Sequence, residues 1–249
     1  MFATVANTEL SRFAAAGRYA DLTAMLAKTI RILLFVSVPF AAFMLCFPRE
    51  IISVFYGYGK FDETAVRETA YAFVMYSAGI PLFSVFKISS VAFTCRRDMV
   101  TPLKVSLVCI SLNIVLNFAL MVPLRQGGIA LATIASSLLN NTLLLTIYNR
   151  QMPENRLDFR SLGLYLLRLV PACGLPLIPA YLAFRFCPRG MEFTLPYLEI
   201  PVTKLNVLIP LAAAGAAYGL GLLALCLAFR IDEAGVVLSR FARRGRKKS

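Results

Sequence analysis

Two short polar rows interrupt a region that is otherwise apolar. Asn113 and Asn117 lie one helical turn apart, and Thr133, Ser137 and Asn141 repeat at the same interval in the next apolar stretch. If both stretches are helical, each row occupies one face. Amide, hydroxyl and backbone carbonyl oxygens are the ligands that a sodium ion takes at membrane depth. The same groups also bond neighbouring helices to each other, at roughly 0.6–2 kcal/mol per bond, and the sequence leaves both uses open. The other polar groups with chemical capacity are Lys87 and Arg168, cations set well within apolar stretches. Each suits a phosphate at membrane depth, where an unpaired anion is costly, and each also has methylenes enough to snorkel to an interface.

Covalent chemistry has little to work with. The chain has no histidine, which removes imidazole general bases and imidazole-based zinc sites, and no catalytic residue is assigned. The segment Tyr56-Gly57-Tyr58-Gly59-Lys60-Phe61-Asp62 contains glycines but lacks the GK[ST] ending and strand-to-helix setting of a phosphate-binding loop. It reads as an exposed turn with interfacial aromatics. The six cysteines form no CxxC pair and fall mostly in or beside apolar stretches, where cysteine acts as a small hydrophobe.

The elements that position these groups are six nearly uncharged stretches, 29–47, 69–94, 102–122, 128–148, 162–184 and 205–229. Each has the length a helix needs to cross a bilayer. With 59% hydrophobic residues, the chain carries more apolar surface than one soluble core of this size hides. The expected fold is all-α, a polytopic transmembrane bundle of about six spanning helices. All thirteen acidic residues lie between or outside the stretches, so no buried carboxylate is available there to carry a proton.

Net charge is +13, yet no basic cluster is interleaved with stacking aromatics, and nucleic acid is not an expected partner. Anionic lipid headgroups suit the charge better, at about 1 kcal/mol per basic residue near the surface. With six spans both ends share a side. The tail carries Arg240, Arg243, Arg244, Arg246, Lys247 and Lys248, so the positive-inside rule puts both termini in the cytoplasm. Arg96, Arg97 and Lys104, and then Arg150, Arg156 and Arg160, fall on that same side. Met1–Thr8 reads as the end of an apolar helix running into a polar loop at Glu9-Leu10-Ser11-Arg12, as though the chain starts partway through a larger architecture. Pro39, Pro81, Pro171, Pro176 and Pro179 are expected to bend their spans, and Gly215 and Gly219 form a GxxxG face for close helix or lipid approach.

Several segments, in order, carry a family resemblance: Leu10-Ser11-Arg12-Phe13-Ala14-Ala15-Ala16-Gly17, Val38-Pro39, Tyr58-Gly59-Lys60-Phe61-Asp62, Gly79-Ile80-Pro81 through Lys87, and Arg97-Asp98-Met99-Val100-Thr101-Pro102. The chain resembles the C-terminal half of the MurJ/MviN family, the lipid II flippases of the multidrug/oligosaccharidyl-lipid/polysaccharide exporter superfamily. The resemblance implies part of a two-lobe exporter fold that moves undecaprenyl-linked peptidoglycan precursor across the bacterial cytoplasmic membrane by alternating access. On that map residues 1–28 are the end of a preceding helix and a cytoplasmic loop. Residues 29–148 are four helices of the second lobe, 149–161 a cytoplasmic loop, 162–229 two appended helices that groove the isoprenoid tail, and 230–249 a basic tail. The implied partners are lipid II, membrane lipids, the absent first lobe and other cell wall synthesis proteins. Exporters of another lipid-linked polysaccharide or of drugs, and a non-transporting membrane interaction module, are the alternatives.

The resemblance also sharpens the ion reading, since some MurJ-like proteins build a sodium site in these helices. Asn113, the Ile129 carbonyl and Thr133 match its spacing, and Asn117 stands where the family has an acid. Sodium is thus the implied coupling ion, with no other cofactor. An amide in place of the carboxylate leaves the ion's charge to dipoles alone and lowers affinity. Lys87 and Arg168 are the substrate-binding candidates.

Overall fold

The computed structural model describes residues 2–56, 63–187 and 202–228. Among them the chain forms helices α1 (Phe2–Ala15), α2 (Tyr19–Cys46), α3 (Pro48–Tyr56), α4 (Glu63–Cys95), α5 (Val100–Leu124), α6 (Gln126–Gln151), α7 (Phe159–Gly174), α8 (Leu177–Phe186) and α9 (Val202–Ala228). Among the described residues six stretches are long and apolar enough to cross a membrane: α2, α4, α5, α6, α7 with α8, and the Val207–Cys226 part of α9. They coincide with the six expected spans. The Gly57–Asp62 part of the aromatic turn and the basic tail 230–249 lie outside the described residues.

The structure departs from expectation at three places. Glu9-Leu10-Ser11-Arg12 is not a loop but the second half of α1, held by a Glu9–Arg12 ion pair of 3.3 Å one turn apart and by the complete burial of Leu10. Residues 1–28 therefore break only around Gly17, whose φ of +68° suits a residue without Cβ. Likewise, the connection expected over 149–161 is shorter, since α6 runs to Gln151 and α7 begins at Phe159. Finally, Pro48–Tyr56 forms α3, an amphipathic helix that turns Ile52 inward.

The prolines act unequally. α2 runs unbroken through Pro39, α4 through Pro81 and α7 through Pro171. The fifth span does break, at Leu175-Pro176, where α8 starts afresh. Pro179 sits in the first turn of α8, where its missing N–H costs nothing.

The chain divides into two compact units, residues 1–37 with 78–167 and residues 38–77 with 168–249. The first is organised around Tyr148, which is fully buried. Its hydroxyl pairs with Thr23 Oγ1 at 2.8 Å, its ring meets Phe93 edge-on at 5.9 Å, and the Arg96 guanidinium lies 5.7 Å from its centroid. Arg97 ends α4 in the left-handed region with φ 62°. The flanking bonds Asp98 N–H to Phe93 O and Arg97 N–H to Thr94 O make a Schellman stop in which an arginine replaces the usual glycine. Asp98 then starts α5 by accepting the Thr101 N–H at 3.0 Å. That bond, helped by the Thr101 hydroxyl, Gln151 and Arg96, holds the Asp98 carboxyl below its ordinary range.

The second unit packs Phe47, Ala180, Phe184, Ala214 and Tyr218 together. The Tyr218 hydroxyl donates to the Pro39 carbonyl at 3.1 Å and the Cys173 carbonyl at 3.2 Å. A Cβ on Gly215 would touch only Phe43, at 3.8 Å, and one on Gly219 would meet nothing within 4 Å. Close packing falls instead at Gly221, where a Cβ would stand 3.0 Å from Pro176. The GxxxG pair is therefore not the tight seam of α9.

Candidate functional site

α5 and α6 form a hairpin with almost no connection between them. Arg125 alone separates the two helices, with φ 49°, its N–H returning to Met121 O at 2.9 Å and its carbonyl accepting the Gly128 N–H at 3.1 Å. A Cβ on Gly128 would lie 2.1 Å from the Leu120 carbonyl oxygen, so this close return of the backbone requires glycine. Ile129 is the next residue, in the first turn of α6.

Four polar side chains of the hairpin form one continuous series. Asn117 Nδ2 donates to Asn113 Oδ1 at 3.0 Å, and Asn113 Nδ2 donates across to Ser136 Oγ at 3.1 Å. Ser136 Oγ donates to the Thr133 carbonyl at 3.0 Å, and Thr133 Oγ1 to the Ile129 carbonyl at 2.9 Å. All four predicted metal-ligating residues, Asn113, Asn117, Ile129 and Thr133, thus belong to one network. Ser136 is the link between them, and the four-residue pattern passed it over. The expected partner row does not meet α5 as a row: Asn141 turns to α4, where its Nδ2 donates to the Leu82 carbonyl at 2.9 Å beside Pro81.

Three asparagine oxygens on α5 and α6 lack donors. The side-chain oxygens of Asn117, Asn140 and Asn141 are buried without a hydrogen-bond partner, and an unmet buried acceptor costs about 1–3 kcal/mol. Such atoms in a native structure call for a water or an ion. Asn113 Oδ1, Asn117 Oδ1, the Ile129 carbonyl and Thr133 Oγ1 are all neutral oxygens, and the Thr133 hydroxyl keeps both lone pairs free because it donates its proton. This donor set fits a hard monovalent cation. No group of three or more His, Cys, Asp or Glu suited to a transition metal occurs among the described residues.

The two candidate cations belong to different units. Lys87 is exposed on α4 in the first unit, and Arg168 is exposed on α7 in the second. Neither forms an ion pair or a hydrogen bond among the described residues.

A family model described as "Lipid II flippase MurJ" matches residues 1–198. Over 150 residues the chain is 32% identical to a probable lipid II flippase MurJ of Buchnera aphidicola subsp. Acyrthosiphon pisum, a match covering 60% of this chain and 29% of that protein. It is 32% identical over 103 residues to a probable lipid II flippase MurJ of Thermotoga maritima, covering 41% of this chain and 22% of that protein. Among solved structures, a lipid II flippase MurJ in an inward closed conformation superposes with a TM-score of 0.68 at 17% identity. That superposition covers 92% of this chain and 43% of the other, and it establishes a common fold. The chain matches less than a third of the length of these curated relatives.

Proposed function

Since the chain belongs to the MurJ lipid II flippase family, we propose that it forms part of a transporter that carries the lipid-linked peptidoglycan precursor across the bacterial cytoplasmic membrane. The match over residues 1–198 is the observation that carries this reading. Transport proceeds by alternating access of a multi-pass helical bundle, with no covalent step and so no enzymatic role. The termini face the cytoplasm, in keeping with the basic residues of the tail and of the α4–α5 and α6–α7 connections. Lys87 and Arg168 serve as fixed cations for the substrate diphosphate, which needs charge compensation away from water.

Sodium is the coupling ion in this reading. The unpartnered oxygen of Asn117 beside Asn113 supports it, and Ile129 and Thr133 complete the ligands. With an amide at position 117 the ion is held by dipoles alone. Asn117→Asp therefore raises sodium affinity, read as a larger sodium-dependent rise in melting temperature of the purified protein. An unchanged response to sodium removes the ion site from the α5–α6 hairpin.

The test of transport joins the first lobe of the Thermotoga maritima relative to this chain and expresses the fusion in flippase-depleted cells. Peptidoglycan synthesis should return with the fusion and weaken when Lys87 and Arg168 are both changed to alanine. Failure of a well-expressed fusion, in cells that the intact relative rescues, would sink the proposal.

A further inference from the structure

We propose that the first unit binds one anionic phospholipid, with an acyl chain in an apolar cavity between α2, α4, α6 and α7 and its phosphate on Arg150. The inference rests on reading the long helices as membrane spans. It concerns a lipid other than the transported one, and α9 takes no part in it.

The cavity measures about 510 Å³ and is partly open to its surroundings. That lies within the roughly 300–1,000 Å³ typical of sites for small molecules. Ile30 and Leu34 of α2, Val85 of α4, and Leu162 and Leu166 of α7 give it apolar walls. Only α6 adds a polar strip. Leu138, Thr142 and Thr146 line the cavity at four-residue intervals, and the next residue in that row is Arg150. Residues at this spacing stack along one helix face, so apolar, hydroxyl, hydroxyl and cation follow each other toward the end of α6.

This order matches the order of groups along a phospholipid: acyl chain, ester and glycerol oxygens, phosphate. Thr142 Oγ1 donates its proton to the Leu138 carbonyl at 2.8 Å, whereas the Thr146 hydroxyl makes no hydrogen bond among the described residues and is the one left to donate to an ester oxygen. Arg150 is exposed and makes no ion pair or hydrogen bond among the described residues. The nearest acids in the chain do not neutralise it: the Asp158 carboxylate accepts the Arg160 and Ser161 N–H groups, and Glu154 forms no ion pair among the described residues. A lipid is the occupant because lipid is the medium around spanning helices. An anionic one is favoured because a guanidinium binds phosphate in a fork geometry, and a zwitterionic headgroup brings its own cation to that phosphate whereas an anionic one does not.

The chain has no tryptophan, so a single introduced indole is an unambiguous reporter. Phe159→Trp places it on the cavity wall, where Phe159 is 46% exposed. Phe118→Trp places it on α5 at a residue 73% exposed that does not line the cavity. The full chain is reconstituted in phosphatidylcholine vesicles containing equal fractions of acyl-brominated phosphatidylglycerol or acyl-brominated phosphatidylcholine. The Phe159→Trp reporter should be quenched with about fivefold preference for the phosphatidylglycerol, the factor expected of one interfacial cation. The Phe118→Trp reporter should be quenched by both without preference.

Adding Arg150→Gln should abolish the preference. Adding Gly163→Leu should reduce quenching by both lipids, because Gly163 lines the cavity and a Cβ there meets nothing within 4 Å. Equal quenching by the two lipids at position 159, a preference that survives Arg150→Gln, or quenching undiminished by Gly163→Leu would each overturn the site. Absence of quenching at position 118 would instead remove the membrane-span reading, and the site with it.

Discussion

Gly128→Ala tests the α5–α6 hairpin most directly. The added Cβ would sit 2.1 Å from the Leu120 carbonyl oxygen and 2.5 Å from its carbon, over an ångström inside ordinary contact. The obstacle is backbone, so no rotamer change relieves it and the first turn of α6 must move. Overpacking of this kind costs about 1–3 kcal/mol, and a backbone clash belongs at the upper end. Alanine returns up to about 1 kcal/mol of helix propensity, leaving a net loss of about 2 kcal/mol. Gly163→Ala is the matched control: its Cβ meets nothing within 4 Å, so only the propensity gain applies. For a chain of this size 1 kcal/mol moves the melting temperature by about 2–4 °C. Thermal unfolding of the purified protein, followed by far-ultraviolet circular dichroism, should show Gly128→Ala lower by about 4–8 °C and Gly163→Ala slightly higher. A Gly128→Ala protein melting at or above the parent would refute the close return at Arg125.

Other outcomes follow from single contacts. Tyr218→Phe removes the bonds to the Pro39 and Cys173 carbonyls and should lower stability by about 1–2 kcal/mol, measured by the same melting experiment. Arg97→Gly relieves a left-handed residue at the end of α4 and should raise stability by about 0.5–1 kcal/mol; a loss would show that the Arg97 side chain contributes more than its backbone costs. The Asp98 carboxyl is held below its ordinary value of 3.8, chiefly by the Thr101 N–H, so its contribution is complete above that pH and disappears as pH falls through the lowered value. Melting temperature measured down an acid series should therefore fall less steeply in Asp98→Asn, which keeps a capping oxygen but does not titrate.

The spanning helices are legible in the sequence because the bilayer demands a run of fixed length, and charge marks where each run stops. What lies at their margins is less so. Glu9 and Arg12 look like loop residues in isolation, but at three-residue spacing they pair and extend α1. The seam was half legible for a related reason. Four-residue spacing identifies residues that share a face, and Asn113 with Asn117 do; it does not say which face meets a neighbour, and Ser136 rather than Ser137 proved to be the partner. Asn140, adjacent to Asn141 and buried like it, was invisible to a rule that follows one row. The break at Pro176, among five prolines of similar promise, follows Gly174 at the end of α7; a glycine with a proline two residues on is a local helix stop, which weighing the prolines alone passes over.

The bond between Thr23 and Tyr148 joins residues 125 positions apart. At about 5–20 residues per second of synthesis, the first span leaves the ribosome about 6–25 s before its partner exists. α2 therefore enters the bilayer before the tyrosine that will hold it has been made. Lateral association then comes as a separate, later event, closed by the arrival of the C-terminal end of α6.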